Sequence, residues 1–308
     1  MIRNFFRFIA GLFLFIIVVC FLNKQLVLNP LYDVSNFQVK ECKTLILGDS
    51  HIQCSLNPEY LKNSINMSLS GENYLFTYLK LAMLLQVNPQ IQNIIIGYEH
   101  HSLSMYALKK NNMSHERYFM LIDDAAYKVL PEIENNRLWD VLYFLKYSYG
   151  LPIEYKTETA LIFHSLFKQN IFYEYPFVGG FYSSQKSNLQ QKQIEEKIAL
   201  YFGQESISER MQEYLEKILK LCQEKKIPVF LLTSPVHLSH KKRIPPIMIK
   251  KHQEIGKAME NKYENVFFHD FSDFFFPDDH YGDGDHLNVR GAQLFSTHIK
   301  KSFFSGLK

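Results

Sequence analysis

The chain has 308 residues, 47% of them hydrophobic, and 34 basic side chains against 31 acidic ones, a net charge of +3. That composition excludes a disordered chain and leaves room for one large domain with insertions or two small ones. The lysines are scattered in short pairs such as Lys225-Lys226 and Lys250-Lys251, so nucleic acid is not an expected partner. At the N-terminus every residue from Phe8 to Leu22 is apolar or glycine. With Phe5 and Phe6 the stretch reaches about 15 to 18 residues, the short end for a membrane span. Arg3 and Arg7 precede it and only Lys24 follows closely, which places the N-terminus in the cytoplasm. Phe21-Leu22-Asn23-Lys24 offers no small residues for a signal-peptide cleavage, and Ile17-Val18-Val19 before Cys20 does not suit lipoprotein processing. An uncleaved anchor over residues 1–24, a tether over 25–40 and an exported domain over 41–308 are expected.

Within that domain, Lys43-Thr44-Leu45-Ile46-Leu47 is a short apolar run stopped by Gly48, and Ile91-Gln92-Asn93-Ile94-Ile95-Ile96 is another stopped by Gly97. Both read as buried strands. Between them, Glu72 to Val87 carries Leu75, Tyr78, Leu79, Ala82 and Leu85 at helical spacing. Strand, helix, strand makes a βαβ unit with a parallel sheet. The C-terminal third repeats the pattern. Helices are expected over Ser208 to Glu224, about Met248 to Tyr263, and Gly291 to about Phe303, with strands at Ile227–Leu232 and Asn265–His269. The fold class is therefore α/β, an open sandwich around a parallel sheet. The middle third, roughly residues 104–200, breaks the pattern. It reads as a largely helical insertion, with helix-like stretches near 115–148 and 186–202 and loops near Pro152 and Tyr173 to Tyr182.

Cys20 lies in the anchor, which leaves Cys42, Cys54 and Cys222 for at most one disulfide. No spacing among them reads as zinc, so buried thiols are expected. Asp278, Asp279, His280, Asp283, Asp285 and His286 crowd together but lack the ligand order and closing glutamate of a calcium loop. No metal and no cofactor are expected.

Two short motifs about 230 residues apart carry the chemistry: Gly48-Asp49-Ser50-His51 and Asp283-Gly284-Asp285-His286. In open α/β sheets ligands gather at the carboxyl ends of strands, and Ser50 sits there, three residues beyond Leu47 and behind a glycine that permits a tight turn. A histidine three residues after an aspartate can set its imidazole against that carboxylate. The carboxylate then fixes the tautomer while the ring takes a serine proton. Ser50, His286 and Asp283 are therefore the expected nucleophile, general base and orienting carboxylate. His51 reads as a loop residue. His100 and His237 are candidate substrate contacts on the same edge, with a structural role the plainer reading for His237.

Gly48-Asp49-Ser50 after a first strand, with Asp283-Gly284-Asp285-His286-Leu287-Asn288 before a last helix, resembles the SGNH (GDSL-like) hydrolase superfamily. The resemblance spans about residues 40–100 and 205–305. It implies a flavodoxin-like three-layer α/β/α sandwich and a Ser–His–Asp triad on the residues just named, with Asp285 at a variable position. It also implies an oxyanion hole from the Ser50 amide and, through the block Asn66-Met67-Ser68-Leu69-Ser70-Gly71, the Gly71 amide. The third block departs from the family: Gly97-Tyr98-Glu99-His100 has no asparagine. An ionised Glu99 cannot stabilise an oxyanion, and His100 or a water is the candidate substitute. The GDSH variant, the anchor and the insertion are similar to membrane-anchored SGNH proteins of bacterial envelopes, such as those of alginate O-acetylation and of D-alanyl transfer to teichoic acid.

That resemblance implies an envelope-facing serine esterase or O-acyltransferase acting on acylated cell-surface polysaccharide or a small acyl ester. A membrane acyltransferase is the implied protein partner. A catalytically weak accessory protein is the alternative; it would bind a glycan or an acyl carrier by stacking tyrosines and Trp139 on sugar rings.

Overall fold

The computed structural model describes residues 2–109, 118, 121, 137–153, 156–167, 172 and 175–303. In chain order its main elements begin with helix α1 (Ile2–Asn23), β1 (Thr44–Leu47), α2 (Ser50–Ser55), β2 (Ser64–Asn66), α3 (Tyr74–Val87) and β3 (Asn93–Gly97). There follow α4 (Met105–Lys109), α5 (Arg137–Tyr149), α6 (Lys156–Phe167), α7 (Gln191–Phe202) and α8 (Glu209–Glu224). The chain closes with β4 (Val229–Thr233), α9 (Leu238–Lys241), α10 (Pro246–Lys262), β5 (Val266–Asp270) and α11 (Val289–Phe303). It divides into two compact units, one of residues 1–38 with 114–177, the other of residues 39–113 with 178–308. The 104–200 stretch is thus shared between the units, and α7 belongs with the sheet.

In the first unit, α1 presents Phe5, Phe13, Leu14 and Phe15 to its surroundings, and the apolar helical run Ile2–Phe37 is long and apolar enough to cross a membrane. The segment expected as a tether continues in helical form through Lys24–Leu28 and Asn29–Leu31. Asn23 donates to the Gly150 carbonyl at 2.9 Å. Lys146 and Glu158 form a buried ion pair at 2.9 Å, and Tyr32 donates to the same carboxylate at 2.9 Å. The side chain of Trp139 lies outside the described residues.

The second unit is an α/β fold on a five-stranded, all-parallel sheet of order β2-β1-β3-β4-β5. That order is the flavodoxin-like one, whose crevice lies beyond the carboxyl ends of β1 and β3. The central strands β1, β3 and β4 are largely apolar on both faces because both are covered. One row, Ile46, Ile95 and Phe230 in register, packs on Ile52 of α2 and on Phe295 and Ile299 of α11. The opposite row, Leu47, Ile96, Leu231 and Phe268, ends against α10, where a Cβ at Gly256 would sit 2.8 Å from the Phe268 ring. In α8 the buried residues are Met211, Tyr214, Leu215, Ile218, Leu219 and Cys222, the stripe set by helical spacing, and the Ser208 side chain caps the Met211 amide. All four cysteines are free thiols.

Candidate active site

Ser50 owes its position to Gly48. The chain leaves β1 with φ +146° at Gly48, and a Cβ there would fall 2.7 Å from Ile52 Cγ2 and 3.1 Å from Gly97 Cα. Only glycine admits both the backbone conformation and the close approach of the β1 and β3 ends. Asp49 then caps α2, its carboxylate accepting the His51 amide at 3.0 Å, and Ser50 opens the helix.

The second motif is held in a tight hairpin-like loop. Tyr281 and Leu287 form an antiparallel bridge, and the Gly282 amide donates to His286 O at 2.8 Å. Inside the loop, Asp283 Oδ1 accepts the amides of Asp285 (3.1 Å) and His286 (3.0 Å), which fixes the carboxylate relative to the ring. The structure brings the three expected residues together: Ser50 Oγ lies 2.8 Å from His286 Nε2, and His286 Nδ1 lies 2.9 Å from Asp283 Oδ1. Nδ1–H donates to the carboxylate, so Nε2 is free to accept the serine proton. Burial disfavours the imidazolium, yet the Asp285 and Asp283 carboxylates outweigh it and raise the His286 pKa.

Beneath this constellation lies a layer that sequence reasoning missed. Asp285, set aside as a variable position, is fully buried and accepts Tyr201 OH at 2.8 Å and the Lys197 ammonium. Its Oδ1 also lies 3.4 Å from His286 Nδ1. Lys197 donates in addition to Asp283 Oδ2 at 3.0 Å. His51, expected as a loop residue, is 2% exposed, with its ring centroid 4.8 Å from that of His286 and 4.6 Å from that of His101. Its Nε2 is 3.3 Å from Asp285 Oδ2 but off line, so neither ring nitrogen makes a hydrogen bond. Burial pushes the His51 pKa down to about 4, which keeps the ring neutral. Asp49, despite burial, is held well below the usual carboxylate range by His101, whose Nε2 lies 2.8 Å away. Lys197 and Tyr201 come from α7, one helical turn apart, and no local pattern marks them as partners of a loop 84 to 89 residues further on.

The segment of the second expected oxyanion donor, Gly71, runs beside the end of β1. Leu69 N donates to Gly48 O at 2.9 Å, which lays the 67–71 segment along the end of β1. Gly71 takes φ +80°, and with Gly48, Asp49, Gly97, His101 and Tyr106 it lines a small cavity. Among the described residues, neither the Ser50 nor the Gly71 amide donates to a protein acceptor. Glu99, where the family pattern would have asparagine, is buried and accepts the Ser234 amide at 3.1 Å and 3.2 Å. Burial and the nearby Asp49 raise its pKa well above the ordinary carboxylate value.

The two candidate substrate contacts have side-chain partners outside the triad, although the His237 amide donates to Gly284 O at 3.1 Å, inside the Asp283–His286 loop. His100 is 5% exposed and stacks on His252 at 4.3 Å. His237 accepts the Ser239 amide at the start of α9, and its Nε2 lies 3.1 Å from Asp278 Oδ1. His51, Asp285 and His286 have ligand atoms close enough to share a metal ion, and the Lys197 ammonium binds Asp285 Oδ1 and stands 3.4 Å from His286 Nδ1.

These observations define an α/β protein of flavodoxin-like strand order with a Ser–His–Asp constellation at the topological switch point. A family model for a domain of unknown function matches residues 187–308, the part that holds α7 through α11 and the Asp283–His286 loop. No curated protein sequence matches the chain. A solved structure from Streptococcus pneumonia, described as a putative platelet activating factor, is similar at 12% identity and a TM-score of 0.43, covering 96% of this chain and 97% of its own.

Proposed function

We propose that this chain is a serine acyl esterase or O-acyltransferase of the SGNH kind. The observation that carries the reading is the continuous relay Ser50 Oγ, His286 Nε2, His286 Nδ1, Asp283 Oδ1, at 2.8 Å and 2.9 Å. In this mechanism Ser50 Oγ attacks an ester carbonyl while His286 takes its proton, and Asp283 steadies the imidazolium. The oxyanion faces the Ser50 and Gly71 amides. His286 then protonates the leaving alcohol, an acyl-serine remains, and water or a sugar hydroxyl, deprotonated by His286, takes the acyl group. No cofactor takes part.

The apolar α1, with Arg3 and Arg7 ahead of its uncharged stretch Phe8–Leu22, supports a single-pass anchor in a bacterial cytoplasmic membrane. The N-terminus would face the cytoplasm and the sheet unit the envelope. The natural substrate is then an acylated cell-surface carbohydrate, and a membrane acyltransferase is the partner that supplies or receives the acyl group.

A second reading, a weakly catalytic protein that binds a glycan or acyl carrier, is favoured by the third block. There Glu99 is tied to the Ser234 amide and no asparagine donor is present. Fluorophosphonate labelling of the detergent-solubilised full chain, with acetyl-ester turnover, separates the two. Labelling that is lost in Ser50→Ala and His286→Ala supports the enzyme. Polysaccharide binding without labelling or turnover supports the binding protein.

A further inference from the structure

A second cluster of titratable side chains lies outside the Ser50 constellation, on the same carboxyl edge of the sheet. It joins His100, three residues beyond Gly97, with His252 of α10 and Asp270, the last residue of β5. One donor atom from each lies within 4.8 Å of the others. His252 is 2% exposed and His100 5%.

The protonation state of His252 follows from its partners. Its Nε2 is 2.9 Å from the Tyr98 carbonyl, which can only accept, so Nε2 carries the proton. Thr233 Oγ1, 3.1 Å from the same nitrogen, spends its own proton on Tyr98 O at 2.7 Å. With Nε2–H committed to the Tyr98 carbonyl, Nδ1 turns its lone pair toward Asp270. Asp270 is arranged in the same way. Its Oδ1 accepts the amide and hydroxyl of Ser272, at 2.9 Å and 2.5 Å. Its Oδ2 faces His252 Nδ1 at 4.0 Å, and both atoms are buried without a hydrogen-bond partner. Two fixed acceptors facing each other in a dry place are costly as they stand. A cation between them satisfies both.

The donor chemistry selects the cation. A neutral imidazole that gives its other N–H to a backbone carbonyl is the usual state of a metal-bound histidine. Two imidazoles and one carboxylate suit a zinc-class ion, with a further position open to water. An ion at about 2.1 Å from each donor needs them about 3.4 Å apart, so the cluster would contract on binding. Lys241 and Asp273 face the cluster, and Glu99, His101 and His240 lie close enough to act on its members electrostatically. Lys241 Nζ binds Ser272 Oγ, lies 3.6 Å from Asp273 Oδ1 and stands 3.5 Å from His100 Nε2. That last contact is weak, and coordination by His100 displaces it while Lys241 keeps Ser272 and Asp273. We propose that His100, His252 and Asp270 form a binding site for one divalent transition-metal ion of the zinc class.

The inference is independent of the acyl-transfer reading. Its test uses the full chain in detergent, dialysed against micromolar Zn²⁺ and assayed for metal content, with Co²⁺ titrated as a spectroscopic probe. About one equivalent of zinc should be retained, with a cobalt d–d band and a melting temperature raised by metal. His252→Gln, which keeps an N–H for the Tyr98 carbonyl, and the near-isosteric Asp270→Asn should each weaken binding at least tenfold. His286→Ala should leave binding unchanged. A wild-type chain that retains no metal and shows no cobalt band overturns the site, whatever the variants do. So does binding that survives both substitutions, or binding lost in His286→Ala alone, which would move the ion to the Ser50 constellation.

Discussion

Asp285 approaches His286 on the same ring nitrogen that Asp283 holds: its Oδ1 is 3.4 Å from Nδ1, against 2.9 Å for Asp283 Oδ1. One imidazole therefore faces two carboxylates, one at the rim and one fully buried. They should behave differently when removed. Asp283→Asn takes away the hydrogen-bonded acceptor that sets the tautomer, and acetyl-ester turnover should fall about 10³- to 10⁴-fold with little change in melting temperature. Asp285→Asn strips the buried partner of Lys197 and Tyr201, so it should cost about 3 kcal/mol or more of stability. Turnover kinetics and thermal melts of the two variants, side by side, distinguish the roles; equal melting temperatures would count against the assignment.

The acid limb of the pH–rate profile should report His286. Its pKa is raised above the ordinary imidazole value, and only the neutral ring can take the serine proton. Activity is thus full above the raised pKa and lost as pH falls through it. The Lys197 charge opposes that rise. Lys197→Met should therefore move the limb to higher pH, whereas Lys197→Arg, which keeps the charge, should leave it in place. An unmoved limb in Lys197→Met would remove Lys197 from the electrostatics of the site.

Gly48→Ala should destabilise the sheet unit by about 2–4 kcal/mol, because the methyl group meets Ile52 and the Gly97 backbone in a left-handed conformation. Denaturant unfolding measures it directly. A loss below about 1 kcal/mol would mean that the strand ends separate easily.

The Gly71 segment rests on a buried ion pair. Lys80 Nζ donates to Glu72 Oε2 and to Met67 O, both at 2.6 Å, and Thr77 donates to Glu72 Oε1 at 2.8 Å. Lys80→Met leaves a buried carboxylate uncompensated and should cost about 3–5 kcal/mol. The double variant Lys80→Met with Glu72→Gln should recover part of that loss. A double variant no more stable than the single one in the same melts would argue that packing, not charge, holds the segment.

Much of the sheet was legible because buried parallel strands announce themselves as apolar runs stopped by glycine, as at Leu47-Gly48 and Ile96-Gly97. The edge strand β2 was not: Ser64-Ile65-Asn66 is three residues long and mostly polar, with no periodicity to read. Helix α6 escaped for a similar reason, since Phe163, Leu166 and Phe167 are exposed and spoil any one-sided stripe. Ser50, Asp283 and His286 were visible because the motif residues that bond are close in sequence or follow a strand end. Lys197, Tyr201 and His51 were not visible. Their roles arise from α7 lying against the Asp283 loop, where Gly284 admits Ile194 so closely that a Cβ would clash at 2.4 Å. Such a relation is tertiary, and no window of sequence contains it.

The Lys197 bridge has a consequence for charge inventory. With His286 neutral, the two carboxylates and one ammonium leave a single negative charge without a counterpart in a largely enclosed space. When His286 accepts the proton of Ser50, the four groups sum to zero. The negative charge that these groups hold in the ground state thus passes, on the proposed mechanism, to the serine oxygen and the oxyanion it forms, while the layer beneath becomes neutral. Lys197 sets what remains behind: without it the layer would keep one negative charge even beside a protonated His286.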